Sequence, residues 1–272
     1  HGFFRHLVVR KSFDKDQLLI NLVTSSQGIE EFDRNAFADF MVETLGHRLA
    51  GLQHTINDDV SDRAKIENGN NQLLFGEPVI LERLLGLNFE ISMESFFQTN
   101  PKSAERLYTK AISYATEKRD LSNQVLMDLF CGTGTIGQIM ASQIENVKVV
   151  GVDIVAEAIE DAKRNAKRNQ IDNLDFYAAD VGKFLLEYPN FSGKIDTIIL
   201  DPPRAGIAPK TLKKVMALGA KQIVYISCNP ATQARDAKDL AENGYEMTKI
   251  SLVDQFPHTA HIEAVARFEL KN

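Results

Sequence analysis

The sequence predicts an α/β fold with a mostly parallel sheet, preceded by a small α+β domain. After Pro101, apolar runs alternate with helical segments in a repeating order of strand, turn and helix. One of these runs, 125–130, leads into a glycine-rich turn. The first 92 residues lack this rhythm and contain mainly short β-like runs. Continuous apolar strands between helices are typical of a parallel sheet that is covered on both faces.

Residues 1–92 are predicted to form the small α+β domain. Two aliphatic runs, 4–9 and 17–23, flank a polar segment, as the strands of a hairpin do. The segment 33–49 reads as an amphipathic helix, whose shared apolar face is predicted to contain Phe37, Phe40, Met41, Leu45 and Leu49. Further strands are expected around 52–56, 73–75, 79–84 and 87–92.

Residues 93–272 are predicted to form the α/β domain. Its expected strands are 125–130, 147–152, 174–178, 197–200 and 222–227, with a final strand that opens at Glu263. Its expected helices begin near Ile136 and span 156–169, 183–187 and 209–218. The sequence shows no repeats and no low-complexity tract.

Composition limits the classes of protein that the chain could belong to. No run of about 18 uncharged apolar residues occurs, and the amino terminus lacks a secretory pattern, so a cytoplasmic protein without membrane contact is expected. The two cysteines, Cys131 and Cys228, do not form a disulfide or metal framework. A formal net charge of −6 implies that any nucleic-acid surface is local or lies on another module.

A glycine-rich turn marks a candidate cofactor site. Gly132, Gly134 and Gly137 follow the strand 125–130, and Asp153 ends the next strand, where its carboxylate could bind ribose hydroxyls. This pairing suits a dinucleotide as well as S-adenosylmethionine. Asp128 favours the latter, because a carboxylate beside the turn would repel a pyrophosphate but attract an amino group; otherwise it caps the turn.

Asp180 has two interpretations of equal weight. It lies after the strand 174–178, where it could bind the amino group of an adenine. It also precedes the helix 183–187, where aspartate is a common N-cap.

The segment Asp201-Pro202-Pro203-Arg204 follows another apolar strand and is the most informative stretch. Two prolines without N–H groups stiffen the backbone beyond the sheet, which suits a substrate pocket. In amine and adenine methyltransferases, the residue after Asp-Pro-Pro is usually aromatic and stacks on the base. Arg204 instead suggests a contact to a phosphate or a base carbonyl.

Cys228 emerges from the carboxyl end of the strand 222–227, where ligands bind in open α/β sheets. It is a candidate nucleophile, although a lone cysteine is more often a small buried hydrophobe, as is expected for Cys131. Glu263 is a candidate general base or, alternatively, an exposed glutamate at a strand end. His258 and His261 lie nearby, but two histidines without a third ligand do not make a metal site.

Five motifs, in this order, resemble those of the RNA 5-methyluridine methyltransferase family, in particular its 23S rRNA (uracil-5-)-methyltransferases. They are Phe96-Phe97-Gln98-Thr99-Asn100, Asp128-Leu129-Phe130-Cys131-Gly132-Thr133-Gly134-Thr135, Asp201-Pro202-Pro203-Arg204-Ala205-Gly206, Ser227-Cys228-Asn229-Pro230 and His258-Thr259-Ala260-His261-Ile262-Glu263. The opening residues 5–10 also resemble the family's central domain. The resemblance implies a class I S-adenosylmethionine-dependent, Rossmann-like catalytic domain after an RNA-facing central domain.

The resemblance also implies a role for each matching residue. Cys228 would be the nucleophile and Glu263 the base, while Gln98 and Arg204 would contact the uracil or its RNA. The cofactor pocket would be formed by Gln98, Phe130, Thr135, Asp153, Asp180 and Asp201. Asp153 stands where relatives often have glutamate, and Phe130 where many have tyrosine, which removes one hydroxyl.

The chemistry implied is methylation of uracil carbon 5. That carbon is a poor nucleophile, and a thiolate that adds at carbon 6 activates it. A base must then remove the proton from carbon 5 before the cysteine can leave. The target uridine would be unpaired or extruded, because carbons 5 and 6 are shielded in a stacked base.

Several alternatives remain open at this point. The substrate could be 23S rRNA, which is favoured, or tRNA at uridine 54. Asp-Pro-Pro could instead serve an N-methyltransferase in which Cys228 is structural, or the fold could serve a non-catalytic RNA-binding protein. The family's amino-terminal RNA-binding (TRAM) domain and its iron–sulfur cysteines do not occur in this sequence. The chain is therefore expected to be a monomeric piece of a longer protein that binds RNA more weakly than the whole.

Overall fold

The computed structural model describes residues 2–59 and 70–271. The chain divides into two compact units, His1–Phe96 and Phe97–Asn272. The cofactor turn, the Asp-Pro-Pro segment and both cysteines lie in the second unit.

The described part of the first unit contains a four-stranded sheet and a separate hairpin. The sheet order is β1-β2-β3-β4, with β2 and β3 parallel and the other pairs antiparallel. The predicted hairpin of the first two strands is confirmed. The elements are β1 (Phe4–Lys11), β2 (Leu18–Thr24), α1 (Arg34–Leu45), β3 (Leu49–Ile56), β4 (Asn70–Gly76) and the hairpin β5 (Val79–Leu84) with β6 (Leu87–Ser92). Short 3-10 turns cover Ile29–Glu31 and Gly46–Arg48.

Helix α1 is shorter than the sequence predicts. Asp33 caps its first turn by accepting from the backbone N–H groups of Asn35 and Ala36. Gly46 has a φ of 55°, and the chain turns there so that Leu49 opens β3 instead of extending the helix. Phe37, Met41 and Leu45 pack against the sheet, but Phe40 is 62% exposed, so its assignment to the apolar face is wrong. The i, i+4 spacing of the other three defines a stripe that Phe40 flanks.

The second unit contains a seven-stranded sheet within the described residues, in the order β12-β13-β11-β10-β7-β8-β9. The strands β9, β8, β7, β10 and β11 are parallel, while β13 and β12 are antiparallel additions. Its strands are β7 (Val125–Leu129), β8 (Lys148–Asp153), β9 (Leu174–Ala178), β10 (Ile195–Leu200), β11 (Gln222–Ser227), β12 (Tyr245–Val253) and β13 (Glu263–Leu270). The predicted mostly parallel α/β fold is confirmed.

Six helices of the described chain accompany this sheet: α2 (Pro101–Thr116), α3 (Thr135–Gln143), α4 (Ala156–Arg168), α5 (Val181–Glu187), α6 (Pro209–Ala217) and α7 (Pro230–Glu242). Side chains of α5, α6 and α7 share one core cluster with alternate strand residues such as Leu129, Leu200 and Tyr225. The intervening residues, including Val149 and Ile199, are also buried, so both faces of the sheet are covered. Helices α2 and α7 and strand β12 were not predicted from the sequence.

The carboxyl ends of the parallel strands meet at one edge of the sheet. β7, β8, β9, β10 and β11 end there at Leu129, Asp153, Ala178, Leu200 and Ser227. Because β13 is antiparallel to β11, it begins at the same edge with Glu263. Every motif that the sequence singled out in this unit therefore opens onto one edge.

No helix in the described part of the chain is long and apolar enough to cross a membrane.

Gly151 offers a test of the packing beneath that edge. A Cβ added at Gly151 would lie 2.5 Å from Phe176 Cδ1. We therefore expect Gly151→Ala to lower the free energy of unfolding by about 1–3 kcal/mol through overpacking, measured by urea unfolding. Shortening the obstructing ring should relieve the strain, so Gly151→Ala with Phe176→Leu should cost less than the sum of the two single changes. Strictly additive costs would contradict this account.

Candidate active site

The pairing of β11 with β13 brings the two predicted catalytic residues together. Ser227 lies opposite Ala264 in this antiparallel ladder. Cys228 follows β11 and Glu263 opens β13, each one residue beyond this pair, and the charge of Glu263 raises the pKa of the Cys228 thiol. Glu263 is buried and Cys228 is partly buried. Thirty-odd residues of sequence separate them, but adjacent strands make them neighbours.

Three carboxyl groups lie in the same neighbourhood. Burial, followed by the charges of Glu263 and Asp128, raises the pKa of Asp201 to about 8. Burial also raises the pKa of Asp128 to about 7, with a smaller contribution from Asp153, and raises the pKa of Glu263. Burial disfavours the charged form of each of these carboxyl groups. Proton uptake by the groups therefore lowers the total negative charge of the cluster.

Two carboxyl groups of this cluster affect the ionisation of the Cys228 thiol. Its thiol pKa is raised by burial, then by the charges of Glu263 and Asp201, while Arg204 acts in the opposite direction. The thiol is therefore protonated at neutral pH, and its ionisation depends on the charge state of its carboxyl neighbours.

The glycine-rich turn has the geometry of a backbone cradle. Gly132 and Gly134 have φ values of 54° and 67°, which favour glycine. A Cβ at Gly134 would lie 2.3 Å from the Phe176 ring, whereas one at Gly132 would meet open space. Asp153 accepts hydrogen bonds from Gly132 N at 2.9 Å and Val155 N at 2.9 Å, so its carboxylate is fixed beside the turn.

Asp128 caps the glycine-rich turn, as one of its two interpretations predicts. Its Oδ2 accepts a hydrogen bond from Gly137 N at 2.9 Å, which ties the strand to the helix after the turn. Its Oδ1 is buried and has no hydrogen-bond partner among the described residues. This oxygen retains the capacity to accept a hydrogen bond.

The remaining predicted cofactor residues occupy the same edge. Phe130 follows β7 with a φ of 63° and packs partly against the core. Thr135 is buried at the first turn of α3, with its hydroxyl oxygen 3.3 Å from that of Thr133. Asp180 is the N-cap of α5, where its Oδ1 accepts from Lys183 N at 2.9 Å. Asp180 is exposed, two residues beyond the end of β9.

Gln98 belongs to a network that the sequence analysis did not identify. Gln255 is fully buried, and its Nε2 donates to Asn100 O and to Gln98 Oε1, at 3.3 Å each. A backbone carbonyl can only accept, so the Gln255 amide nitrogen must face Asn100, and the Gln98 oxygen must face Gln255. The hydroxyl of buried Tyr108 also hydrogen bonds to the Gln98 side chain. The Gln98 amide nitrogen is thereby directed away from Gln255.

Arg204 is exposed beside the thiol. Its Nη2 lies 3.5 Å from His261 Nδ1, and its carbonyl is held by Asn229 and Thr232. In residues 2–59 and 70–271, no three His, Cys, Asp or Glu side chains are grouped closely enough to hold a metal ion.

A parallel sheet extended by an antiparallel pair, with a glycine turn and a carboxylate at the ends of adjacent strands, defines the class. The fold is that of the S-adenosylmethionine-dependent methyltransferases, and it is shared with a solved methyltransferase of Streptococcus mutans at a TM-score of 0.57 and 12% identity over 98% of this chain and 76% of that one. Residues 80–269 match the family model described as tRNA (uracil-5-)-methyltransferase. The chain belongs to that family.

Relatives of known sequence agree with this assignment. An uncharacterized RNA methyltransferase of Clostridium acetobutylicum is 43% identical over 99% of this chain and 57% of its own length. Another from Caldanaerobacter subterraneus is 41% identical over 98% of this chain, again covering 57% of the relative. The chain thus spans little more than half the length of these relatives.

A solved relative resembles the whole chain. The Pyrococcus abyssi tRNA (uracil-54, C5)-methyltransferase, in complex with S-adenosyl-L-homocysteine, has a TM-score of 0.77 and 32% identity. The similarity covers 98% of this chain and 60% of that one.

The electrostatic effect of Glu263 on Cys228 can be measured by the rate at which the thiol is alkylated. Replacing Glu263 with glutamine removes a negative charge that raises the pKa of Cys228. We expect Glu263→Gln to accelerate iodoacetamide labelling of Cys228 by roughly two- to tenfold at pH 8, followed by peptide mass spectrometry. The matched control is Glu269→Gln, at the far end of β13, which should not alter the rate. Unchanged or slower labelling in Glu263→Gln would show that the two groups do not interact.

Proposed function

We propose that this chain carries the catalytic part of an S-adenosylmethionine-dependent methyltransferase that forms 5-methyluridine in structured RNA. The observation that carries the proposal is the antiparallel pairing of β11 with β13, because Cys228 follows the last residue of β11 and Glu263 opens β13 at the edge that also holds the cofactor turn. A thiol and a carboxylate on one side of a base are what carbon 5 methylation requires. Methylation of a nitrogen would need no thiol, because the lone pair of the nitrogen attacks the methyl group directly.

The residues at the turn fit S-adenosylmethionine. The unpartnered Oδ1 of Asp128 would accept from the ammonium group of the methionine moiety. Each Asp153 oxygen accepts one backbone N–H and retains a lone pair for a ribose hydroxyl. Asp180 would bind the adenine amino group through its carboxylate. The pocket would be completed by Gln98, Phe130, Thr135 and Asp201. When bound, S-adenosylmethionine supplies the methyl group as an electrophile.

Cys228 performs the first covalent step of the proposed reaction. After the partly exposed thiol gives its proton to solvent water, Sγ forms a bond to uracil carbon 6, and the electron pair of the carbon 5–carbon 6 double bond moves into the enolate. This makes carbon 5 nucleophilic. The negative charge on the uracil oxygen would be stabilised by the amide nitrogen of Gln98 and by the guanidinium of Arg204.

Glu263 completes the reaction. Its carboxylate accepts the carbon 5 proton, the double bond to carbon 6 forms again, and the bond to Cys228 breaks with the electron pair returning to sulfur. Burial raises the pKa of Glu263, which strengthens it as a base relative to an exposed glutamate.

Asp201 would set the proton balance of the site. With a pKa of about 8 it carries a proton at neutral pH, which reduces the negative potential around Cys228. The protonated Asp201 could thus donate a hydrogen bond to a base or ligand group, in a site where an ionised carboxylate could only accept.

The RNA class is the finer part of the proposal. The motif resemblance favours 23S rRNA, whereas the Pyrococcus abyssi relative is named for uracil 54 of tRNA. In both cases the target uridine would leave its stack to reach the edge where Cys228 lies. The RNA-facing role of residues 1–92 and a monomeric state belong to the same proposal.

Methylation assays with the full-length protein would test the function. S-adenosylmethionine and unmodified 23S rRNA or tRNA transcripts should yield 5-methyluridine, detected by mass spectrometry of nucleosides, with 23S rRNA the better substrate. Cys228→Ala should lower the yield by at least about a thousandfold, since nucleophile removal leaves carbon 5 unactivated. The control is Cys131→Ala, which should retain most of the activity. An N-methylated nucleoside, or activity that survives Cys228→Ala, would contradict the proposal.

Cofactor affinity should depend on pH through Asp128. Its pKa of about 7 in the free protein means that it is largely protonated below that pH. A ligand ammonium group binds better to the ionised carboxylate, so affinity for S-adenosyl-L-homocysteine should rise as pH increases from 5.5 to 7.5 and then level off. Calorimetry of wild type and Asp128→Asn would check this. The variant should bind weakly and without this rise, while a flat wild-type profile would contradict the assignment.

A further inference from the structure

The Arg204 segment and the nucleophile turn are tied together by hydrogen bonds. Arg204 O accepts from Asn229 Nδ2 at 3.1 Å and from Thr232 Oγ1 at 3.3 Å. Asn229 also caps α7, since its Oδ1 accepts from Ala231 N at 3.2 Å. The residue that follows Cys228 therefore holds the backbone of Arg204 directly.

A buried carboxylate on α7 holds the other side of the same segment. Asp236 is 1% exposed, and its Oδ2 accepts from Tyr225 Oη at 2.7 Å and Ile207 N at 3.0 Å. Its Oδ1 pairs with the Arg235 guanidinium, with Nε at 2.8 Å and Nη2 at 2.7 Å. Four donors therefore satisfy this carboxylate, which offsets the cost of burying its charge.

Arg235 extends the network back to the segment. Its Nη2 donates to Ala205 O at 3.3 Å and to Ile207 O at 3.2 Å. The backbone on the carboxyl side of Arg204 is therefore bound at three groups by one ion pair. Tyr225, which is on the strand that ends beside Cys228, is bound by the same carboxylate.

Gly206 is explained by this arrangement. Its φ of 76° favours glycine, and an added Cβ would lie 2.5 Å from Arg235 Nη2 and 2.9 Å from Asp236 Oδ2. Any side chain at this position would displace the ion pair or the segment. The glycine of the Asp-Pro-Pro-Arg-Ala-Gly motif thus serves the close approach of α7.

We propose that Asp236, paired with Arg235, is a positioning residue that fixes the Arg204 segment relative to Cys228 before RNA binds. The inference rests on the proposed function. Arg204 and Cys228 must contact the same nucleotide at once, one at an oxygen and one at carbon 6. Arg204 follows β10 and Cys228 follows β11, and the Asp236 network is a buried connection between the segment after β10, the strand β11 and the helix α7. Displacement of a reacting group by about 1 Å can cost about a hundredfold in rate.

Single-turnover methylation by the full-length enzyme tests the inference. The substrate is the transcript that the wild type methylates, and both the enzyme and S-adenosylmethionine are present at saturating concentrations. Asp236→Asn should lower the rate constant about ten- to hundredfold, and Tyr225→Phe, which removes one donor, several-fold. The fraction of RNA finally methylated should stay near the wild-type value, and the dissociation constant of S-adenosyl-L-homocysteine should change less than about twofold. The matched control is Glu242→Gln, an exposed carboxylate of the same helix, which should leave the rate constant unchanged.

Rate constants within about twofold of the wild type in both variants would overturn the inference. A smaller amount of methylated product at an unchanged rate constant would also overturn it. That result would mean that part of the variant enzyme is misfolded, and not that Arg204 and Cys228 are displaced from each other. If Asp236→Asn does not fold, Tyr225→Phe and Gly206→Ala decide the matter by the same criterion.

The rate constant of a double variant gives a second test of the network. Gly206→Ala disturbs the same contact, so adding it to Tyr225→Phe should slow the reaction less than the product of the two separate effects. A full multiplicative effect would contradict a shared network. A wild type that forms no 5-methyluridine overturns the proposed function and this inference together, whereas an active wild type with unaffected variants overturns the inference alone.

Discussion

The antiparallel pairing of β13 with β11 is the interaction on which the site depends. Parallel strands deliver residues to an edge only at their carboxyl ends, which is how Asp128, Asp153, Asp201 and Cys228 arrive there. Glu263 stands at the beginning of a strand, and only a reversed strand can bring it to that edge. The register of that one ladder decides whether the thiol and the carboxylate can act on the same base.

The cluster of buried carboxyl groups explains the electrostatics of the site. Burial raises the pKa values of Asp128, Asp201 and Glu263, and the charges of Glu263 and Asp128 raise that of Asp201 further. The charges of Glu263 and Asp201 also disfavour the thiolate of Cys228. Such an arrangement is costly for a resting protein and suits a cationic ligand and a proton-transfer reaction. The thiol of the proposed nucleophile, Cys228, is therefore protonated at neutral pH in the free protein.

Sequence and structure agree where local patterns are strong. Apolar strands and the glycine turn predicted the parallel sheet and its edge, because strands that are buried on both faces have continuous apolar sequences. The predicted burial of Phe40 and the predicted end of α1 were wrong. Gly46 redirects the chain, and packing against the sheet determines which stripe of the helix is buried. Asp236, Tyr108 and Gln255 could not be predicted, because their partners are distant in sequence and a lone polar residue gives no sign of burial.

The central claim is that Cys228 forms a covalent bond with the target uridine. RNA that carries 5-fluorouridine tests this directly, because fluorine at carbon 5 cannot leave as a proton and the bond to carbon 6 persists. With S-adenosylmethionine present, the full-length protein should yield a denaturation-resistant adduct whose peptide mass maps to Cys228, and Cys228→Ala should yield none. An adduct on another residue, or no adduct with an RNA that the enzyme methylates, would contradict the account.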